Sequence, residues 1–471
     1  MGSEMCIRDR MKVVAMMLSG VIALSVMGGC GKSADKDENG KTIVSIGGWP
    51  EKDGRGKDNA EKQKAEYEEA NPQFKIVPDT WMFDLKSFYA KAAGGQLPTL
   101  YSTHFTEASQ LISAGYAADL TDTLKKHNIY DSFNKDIIKL VSKEDKVYAF
   151  PVSAYALNIS GNVDMMTAAG LVEADGTPKQ PKDWNELVEF AVKIKKATGK
   201  PGFAIPTSNN CGGWIFMPIA WSYGVEFMKK DGDKWVATFN TPEAAAALQY
   251  VKDLKWKYDV FPSNTLIDQT EYHKLFGTGN VGMIIEGDVS KRVMTYGMTK
   301  DQIAMMVMPS GPKKHVTLLG GTLFAVSNNS TEDQIDGALR WLEMSYTPFI
   351  SDEFKTSLEK SIKLSAENEE LIGIKAISMW NDTAETTKYR NEYIDSKANI
   401  NTNHIKLYND FLANMGDCEL RAEEPVCAQE LYSVLDNCIQ EVLTNKDADC
   451  VALLEKANSD FQKNYLDNTD Y

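Results

Sequence analysis

Aromatic and acidic side chains occur at several positions where the sequence predicts that a strand ends or the backbone turns. Trp49 follows a short apolar run, Tyr155 stands just after a proline in an extended stretch, and Trp214 follows two glycines. Glu286 and Asp288 flank a glycine after another apolar run. A sugar ring offers apolar C–H faces and a rim of hydroxyl groups, which flat aromatic rings and carboxylates complement. These residue types therefore favour sugar binding.

A third predicted strand, Leu97–His104, adds Thr103, His104 and Phe105 at its end. Open α/β sheets bind ligands beyond the carboxyl ends of their strands, which makes all three candidates for ligand contact. One aromatic contact contributes about 1 kcal/mol, whereas a micromolar site needs about 8 kcal/mol. Hydrogen bonds to charged groups, at about 1.5 to 3 kcal/mol each, must supply the rest. For any single loop aromatic, core packing is an equally good explanation.

Four other tryptophans stand at helical spacing and are expected in the core: Trp184, Trp221, Trp256 and Trp341.

Glu286 and Asp288 also allow an enzymatic interpretation. Two nearby carboxylates can serve as the acid and the nucleophile of a glycosidase, and residues i and i+2 of a strand face the same side. The alternative to a receptor is therefore a surface glycan hydrolase. No H-E-x-x-H, G-x-S-x-G or P-loop pattern occurs, and the histidines lack the spacing of metal ligands. We expect no metal and no cofactor.

The segment 277–282 matches the pattern G-x-G-x-x-G. A helix is predicted before it and a strand after it, whereas a dinucleotide site needs the motif to open a helix. We therefore expect a helix end and a turn.

The composition indicates a globular protein of more than one domain. The 471 residues are 43% hydrophobic and 25% charged, which allows a sizeable core. The 51 basic and 66 acidic residues give a net charge of −15, which argues against nucleic acid as a partner. Seven arginines leave few bidentate clamps for an anion, so a neutral oligosaccharide is favoured over a uronate or a phosphate.

Alternating strand and helix patterns predict an α/β fold with a parallel sheet covered on both faces. The predicted strands are Thr42–Trp49, Phe74–Met82, Leu97–His104, Val281–Glu286, Ile303–Met308 and Leu318–Val326. The predicted helices are Asn59–Ala70, Leu85–Ala93, Trp184–Ala197 after an Asp183 cap, Pro242–Tyr258 and Glu271–Phe276.

The stretch Lys146–Leu171 resembles a crossover between two lobes. A strand, Val147–Phe150, is expected to stop at Pro151, which lacks an N–H. A second strand, Ala156–Val163, leads into a short helix that Asp164 can cap.

This stretch is similar to the extracellular solute-binding proteins of bacterial ABC importers, in the branch that carries carbohydrates. The matching residues are Val147, Tyr148, Pro151, Asn162, Ala169, Gly170 and Leu171, whereas Ser160 and Gly161 stand where the family has aromatics. The segment Leu319–Pro348, with its Gly-Gly strand, polar cap and helix, also resembles the family.

The resemblance implies a two-lobed, periplasmic-binding-protein-like fold with a hinge and a helical C-terminal region. It also implies a monomeric receptor without enzymatic activity that passes a sugar to ABC permease subunits. Glu286 and Asp288 would accept hydrogen bonds from sugar hydroxyls, and Gly321 and Thr322 of the Gly-Gly strand would lie at the cleft. A receptor for peptides or another polar solute on the same fold stays open.

We expect each lobe to combine separated pieces of chain. Lobe 1 takes residues 40–151 and 291–324, and lobe 2 takes residues 152–290 and 325–471.

The N-terminal region predicts export and a lipid anchor on the outer side of the cell membrane. Residues 1–10 read as an extension before a second start, and the apolar run that follows suits a signal peptide up to residue 29. The residues Met-Gly-Gly before Cys30 resemble a bacterial lipobox, so Cys30 is the expected lipidation site. Residues 30–41 are polar and read as a tether.

Cys418, Cys427, Cys438 and Cys450 cluster near the C-terminus. An exported compartment and an even count favour disulfides over a metal site, with three connectivities possible. We expect Cys418 to pair with Cys427, and Cys438 with Cys450.

Overall fold

The computed structural model describes residues 35–232, 234–287, 290–414 and 416–468. The first part of the chain contains β1 (Thr42–Ile46), α1 (Arg55–Ala70), β2 (Phe74–Pro78), α2 (Leu85–Ala93), β3 (Leu100–His104), α3 (Phe105–Ser113), α4 (Thr121–Lys126), α5 (Lys135–Ile138), β4 (Ser142–Lys143), β5 (Lys146–Val147) and β6 (Ala149–Ala156).

The middle of the chain contains β7 (Asn158–Asn162), α6 (Val163–Ala168), α7 (Trp184–Thr198), β8 (Phe203–Ala204), α8 (Cys211–Ser222), β9 (Met228–Asp231), β10 (Lys234–Ala237), α9 (Pro242–Trp256), α10 (Gln269–Gly277), β11 (Met283–Glu286), α11 (Ser290–Met294) and β12 (Ile303–Met306). The last part contains β13 (Val316–Val326), α12 (Glu332–Glu343), α13 (Asp352–Glu367), α14 (Glu385–Lys397), α15 (Lys406–Asn414), β14 (Glu419–Arg421), α16 (Ala428–Thr444) and α17 (Cys450–Asn464). Within the described ranges, no helix has both the length and the apolar character needed to cross a membrane.

Each lobe is built on one sheet. The sheet of lobe 1 has the order β14-β13-β3-β1-β2, with β6 also paired to β13. Its strands β1, β2 and β3 are parallel, as the βαβ pattern predicted, whereas β13 runs antiparallel to β3 and β6. The sheet of lobe 2 has the order β12-β7-β11-β8, with β7 antiparallel to both neighbours.

The long strand β13 belongs to both lobes. Val316 and Leu318, near its start, are buried with the helices of lobe 2. Leu323 and Val326, near its end, are buried in the core of lobe 1. Because the strand alternates its side chains and crosses from one lobe to the other, it contributes to both cores.

The lobe boundaries differ from the expected ones. Strand β12, inside the segment expected in lobe 1, pairs with β7 of lobe 2, so the chain returns to lobe 1 only after Met306. Helix α12 packs on the first sheet, where Gly337 leaves room for Val44 and Phe74. The chain therefore stays with lobe 1 beyond residue 324, and α16 and α17 then complete lobe 2.

The crossover stretch differs from its prediction in two ways. Strand β6 continues through Pro151, because a register shift between Thr322 and Leu323 places the proline at a bulge, where a missing N–H is tolerated. The cap of α6 is Asn162, whose side chain accepts the N–H of Met165 at 3.0 Å, and not Asp164.

Most of the other local predictions, for helix caps, a turn and buried tryptophans, agree with the structure. Asp183 caps α7 by accepting two backbone N–H groups, and Thr241 caps α9. The segment 277–282 ends α10 and leads into β11, as the turn interpretation predicted. Trp184, Trp221 and Trp341 are buried, but Trp256 is 37% exposed, with its indole N–H donating to a carbonyl of α16.

The expected disulfide pairing is wrong in the structure. Cys418, Cys438 and Cys450 are buried thiols, and each of the two expected bridges would need at least one of them. Cys418 packs in the cluster that contains the lobe 1 core, whereas Cys427 packs against the lobe 2 cluster. The acidic loop between these two residues passes between lobes and does not close a local ring.

Candidate ligand cleft

The chain passes between the lobes beside β13. Only Leu157 separates β6 from β7, and its N–H donates to the Leu318 carbonyl at 3.0 Å. The Thr317 hydroxyl donates to the Leu157 carbonyl at 2.8 Å. Another crossing follows β14 and leads to α16. The candidate ligand-contact residues lie around these crossings.

On the side of lobe 1, β3 ends at His104. Thr322 of β13 lies opposite both His104 and Ser153 of β6, so these residues form one row. The exposed imidazole of His104 meets the ring of Phe83 edge-on, with 6.4 Å between centroids. Thr103 is buried, and its hydroxyl finds no hydrogen-bond partner among the described residues.

Gly321 allows β13 and β6 to approach closely at this edge. A Cβ atom at Gly321 would lie 2.9 Å from the Ala154 Cα, which is too close for a side chain. Gly321 and Thr322 therefore lie in the paired part of β13 and β6, and their contact with a ligand stays a prediction.

Tyr155 lies where β6 faces β11. Its phenol ring packs on Gly287, where a Cβ would come within 2.9 Å of the ring, and the residue is 38% exposed. Burial, together with the charges of Glu423 and Glu286, raises the pKa of Tyr155 to about 12. The hydroxyl therefore stays protonated at neutral pH and can donate to a ligand.

Glu423 connects the two lobes. One carboxylate oxygen accepts the hydroxyl of Thr106 in α3, and the other accepts the hydroxyl of Tyr432 in α16 at 2.7 Å. Burial raises the pKa of Glu423, although hydrogen bonds from these hydroxyls, the charge of His104 and hydrogen bonding by Trp214 oppose the rise. A carboxylate thus sits among an aromatic ring, a phenol and an imidazole.

Trp214 stands in the first turn of α8 and is half-buried. The Asp436 carboxylate accepts the N–H groups of Asn210 and Gly213 at 2.8 and 2.7 Å, which caps this helix from α16. Burial raises the pKa of Asp436 to about 6, against these hydrogen bonds. Helix α16 packs so closely that a Cβ on Gly213 would lie 2.5 Å from the Tyr432 Cα. Trp214 therefore stands on a helix that is capped by α16 and tightly packed against it.

Glu286 has other partners than the expected ligand. It is only 4% exposed, and its Oε2 lies 2.7 Å from His273 Nε2 and 3.4 Å from the Gln269 amide. Its Oε1 accepts the N–H of Gly287 at 3.0 Å. Direct hydroxyl binding by Glu286 stays a prediction that requires rearrangement of this pair. Asp288, its expected companion, lies outside the described residues.

Trp49 and Phe105 lie in the core and not on the cleft surface. Trp49 is 6% exposed, donates its indole N–H to Glu61 Oε1 at 3.2 Å, and packs 6.0 Å from Trp341 between centroids. Phe105 is 3% exposed, because α3 begins there and turns the ring inward. Both residues follow the end of a strand, but each side chain packs into the core.

Sequence reasoning missed Glu423, Tyr432 and Thr106. Glu423 belongs to the acidic loop that was expected to close a disulfide, and Tyr432 lies in a C-terminal helix. More than three hundred positions separate Thr106 from Glu423, so no local pattern could join them.

The site combines a carboxylate, hydroxyl donors and aromatic faces, which suits polar, hydroxyl-rich solutes. Among the residues that the structure describes, no cluster of three or more His, Cys, Asp or Glu could hold a metal ion.

Residues 62–349 match the family described as bacterial extracellular solute-binding protein. The chain belongs to the bacterial extracellular solute-binding protein family. This confirms the resemblance seen in the sequence, and it places the protein in the periplasm or outside the cell. The family consists of solute-binding proteins rather than enzymes.

Curated proteins of similar sequence are named as binding proteins. A putative binding protein of Brucella abortus is 24% identical over 257 residues, which are 54% of this chain and 60% of that protein. The sn-glycerol-3-phosphate-binding periplasmic protein UgpB of Escherichia coli K12 is 21% identical over 66% of this chain and 72% of its own length.

Solved structures confirm the two-lobed fold. Maltose-bound MalE3 of T. maritima has a TM-score of 0.61 and 18% identity, covering 89% of this chain and 99% of its own. The cyclic alpha-maltosyl-1,6-maltose binding protein of Arthrobacter globiformis also has a TM-score of 0.61, with 22% identity over 90% of this chain and 100% of its own. At such identities the likeness concerns the fold.

Proposed function

We propose that this chain captures a sugar or oligosaccharide between its lobes and delivers it, chemically unchanged, to the permease of an ABC importer. The observation that carries the proposal is the position of Glu423, bonded to both lobes beside Tyr155 and Trp214. The similar proteins include binders of maltose and of sn-glycerol-3-phosphate, which supports a carbohydrate or polyol ligand.

The cleft residues provide both kinds of contact that a sugar needs. A carboxylate has about four acceptor positions, and Thr106, Tyr432 and Trp214 engage Glu423, which leaves capacity for a ligand hydroxyl. The exposed part of Tyr155 and the half-buried ring of Trp214 offer apolar faces. A ligand that touches both lobes stabilises the closed arrangement by differential contact.

Calorimetric titration with neutral sugars, amino acids and peptides tests the proposal. We expect a sugar to bind, and Glu423→Gln to weaken that binding roughly 10- to 150-fold, because a charge-assisted hydrogen bond contributes about 1.5 to 3 kcal/mol. Glu419→Gln, an exposed change in the same segment, should leave the affinity unchanged.

Binding of peptides or amino acids alone would instead establish the other receptor class on this fold. Release of product from a labelled glycan would contradict the non-enzymatic role and favour the hydrolase.

We further propose that Cys30, which lies outside the described residues, carries the lipid. Cys30→Ser should then move the protein from the membrane fraction to the medium or periplasm and leave ligand affinity intact, since the following residues are a polar tether. Retention of the variant in the membrane fraction would show that the anchor lies elsewhere.

A further inference from the structure

A cavity of about 210 Å³ lies in lobe 1 at the edge of the sheet beyond β6. Residues 151–153 of β6, the turn after α12, the segment 376–380 and helix α14 form its walls. The segment 376–380 runs beside β6, where Ile377 forms a bridge with Ala154. The cavity is therefore separate from the Glu423 site, although Ser153, which lines it, stands two residues from Tyr155 on the same strand.

The wall formed by 376–380 is held firmly. Trp380 packs between Phe133 and Phe150. Its ring centroid lies 4.5 Å from that of Phe133 and 5.8 Å from that of Phe150. The Asn134 side-chain amide donates to the Ser378 carbonyl at 3.1 Å, and the Asn134 N–H donates to the Met379 carbonyl at 2.9 Å. The cavity is thus a preformed feature, as binding sites for small molecules usually are.

Arg390 brings an unneutralised positive charge to this cavity. Among the described residues its guanidinium has neither a hydrogen bond nor an ion pair, whereas Arg340 is paired with Asp336, and Arg421 with Glu424. Arg390 is an exposed residue, although the protein atoms around its guanidinium lower its pKa, and the Tyr346 hydroxyl is the titratable group near it. An arginine nevertheless remains charged at any physiological pH.

Some of the other polar side chains of the cavity already make hydrogen bonds to described residues of the protein, and others do not. Ser378 and Thr387 hydroxyls bond to each other at 2.7 Å, and the Thr386 hydroxyl donates to a backbone carbonyl at 3.1 Å. Ser153 and Asn391 also line the cavity, and their side chains make no hydrogen bond within the described part of the chain. The available donors therefore include the Arg390 guanidinium, the Asn391 amide and the hydroxyls of Ser153, Ser345 and Tyr346, which together suit an oxyanion.

We propose that this cavity binds a small solute that carries a carboxylate or a phosphate, with Arg390 holding the anion. The volume is below the roughly 300 to 1,000 Å³ of sites for drug-sized ligands, so the solute is about the size of one sugar ring. This second site does not depend on which solute the cleft takes. It also limits the expectation of a neutral ligand, which rested on the scarcity of arginines, because a single unpaired arginine suffices for one anion.

Three ligands with the same ring test the proposal: glucuronate, glucose 6-phosphate and glucose. Calorimetric titration of the full chain should show saturable binding of at least one of the two anions. Arg390→Gln should weaken that binding roughly 10- to 150-fold, the loss expected for a charge-assisted contact. Lys388→Gln, an exposed change on the same helix that does not line the cavity, should leave it unchanged. Comparison of the two anions distinguishes a carboxylate from a phosphate site.

The variant is expected to fold, because Arg390 has no protein partner to lose, and its melting temperature should stay within about 2 °C of the parent. Arg390→Lys keeps the charge and should recover part of the affinity. Failure of both anions to bind the parent protein would overturn the proposal, and so would equal anion affinity in parent and Arg390→Gln. A failure of sugar binding at Glu423 would leave these results untouched.

Discussion

At the scale of single residues, Glu423 shows how a partly buried acid can join two lobes. Its two hydroxyl partners come from α3 in lobe 1 and α16 in lobe 2, so the carboxylate is satisfied only when these elements stand close together. A carboxylate that is partly removed from water is costly when its hydrogen bonds are not made. Glu423 therefore favours arrangements in which either the partner lobe or a ligand hydroxyl fills its acceptor positions.

Trp214→Ala separates ligand contact from core packing. We expect sugar affinity to fall by roughly 1 to 3 kcal/mol, with less than about 2 kcal/mol lost from the free energy of unfolding, because the ring is half-buried and its side chain bonds with Glu423. Titration calorimetry and denaturant unfolding measure the two quantities.

Trp221→Ala is the matched control on the same helix. Trp221 is fully buried and donates its indole N–H to Glu424 at 3.0 Å, so its truncation should cost roughly 3 to 5 kcal/mol of unfolding free energy. If the Trp214 variant lost a similar amount and still bound normally, Trp214 would be a core residue and would leave the site.

At the scale of elements, a charged network fixes α4 against α12. His127, which follows α4, contacts Glu343 through Nδ1 and Asp336 through Nε2, the latter at 2.9 Å. The hydrogen bond to Glu343 raises the pKa of His127 despite burial, with Asp336 acting in the same direction. Burial opposes ionisation of Asp336, yet hydrogen bonds from Arg340, His127 and Lys126 hold its pKa well below the usual range.

The signs of these shifts predict a pH dependence. Because the pKa of His127 is raised by folding, its protonation stabilises the fold at pH values below the ordinary histidine pKa of about 6.5. This contribution to stability is lost as the pH rises through the folded-state pKa. Because the pKa of Asp336 is lowered, this residue stabilises the fold above about pH 4, and its contribution to stability is lost only in stronger acid. His127→Gln should therefore lower the free energy of unfolding by roughly 1 to 3 kcal/mol at pH 5.5 and by less at pH 8.5.

Denaturant unfolding of parent and variant at both pH values checks this prediction, because the difference between the two proteins cancels the titration of the other groups. An equal difference at pH 5.5 and 8.5 would mean that His127 is not protonated in the folded state.

Elements with strong local signals were predictable from the sequence. Helix α2 has the predicted bounds, and α7 starts at its predicted cap, because capping side chains and helix-forming runs act within a few residues. The strand through Pro151 was not predictable, since its bulge depends on the register with β13.

At the scale of the whole molecule, the two-lobed α/β fold followed from the alternating pattern and the family resemblance, but the lobe boundaries did not. The pairing of β12 with β7 and the packing of α12 on β1 are decided by tertiary contacts. Tyr155, Trp214 and His104 lie around Glu423, and their contact with a ligand stays a prediction, whereas Trp49 is buried. Strand ends can be read from a sequence, but the face on which each side chain lies depends on the sheet.

The shared strand β13 has a mechanical consequence for the closure of the cleft. Its start is anchored in lobe 2, and its end is clamped between β3 and β6 in lobe 1. Backbone hydrogen bonds along both edges prevent the strand from sliding, but a β-ribbon still tolerates torsion about its own axis. In the proposed closure, rotation of one lobe against the other would twist this strand, and its torsional stiffness would contribute to the force that reopens the protein after the solute departs.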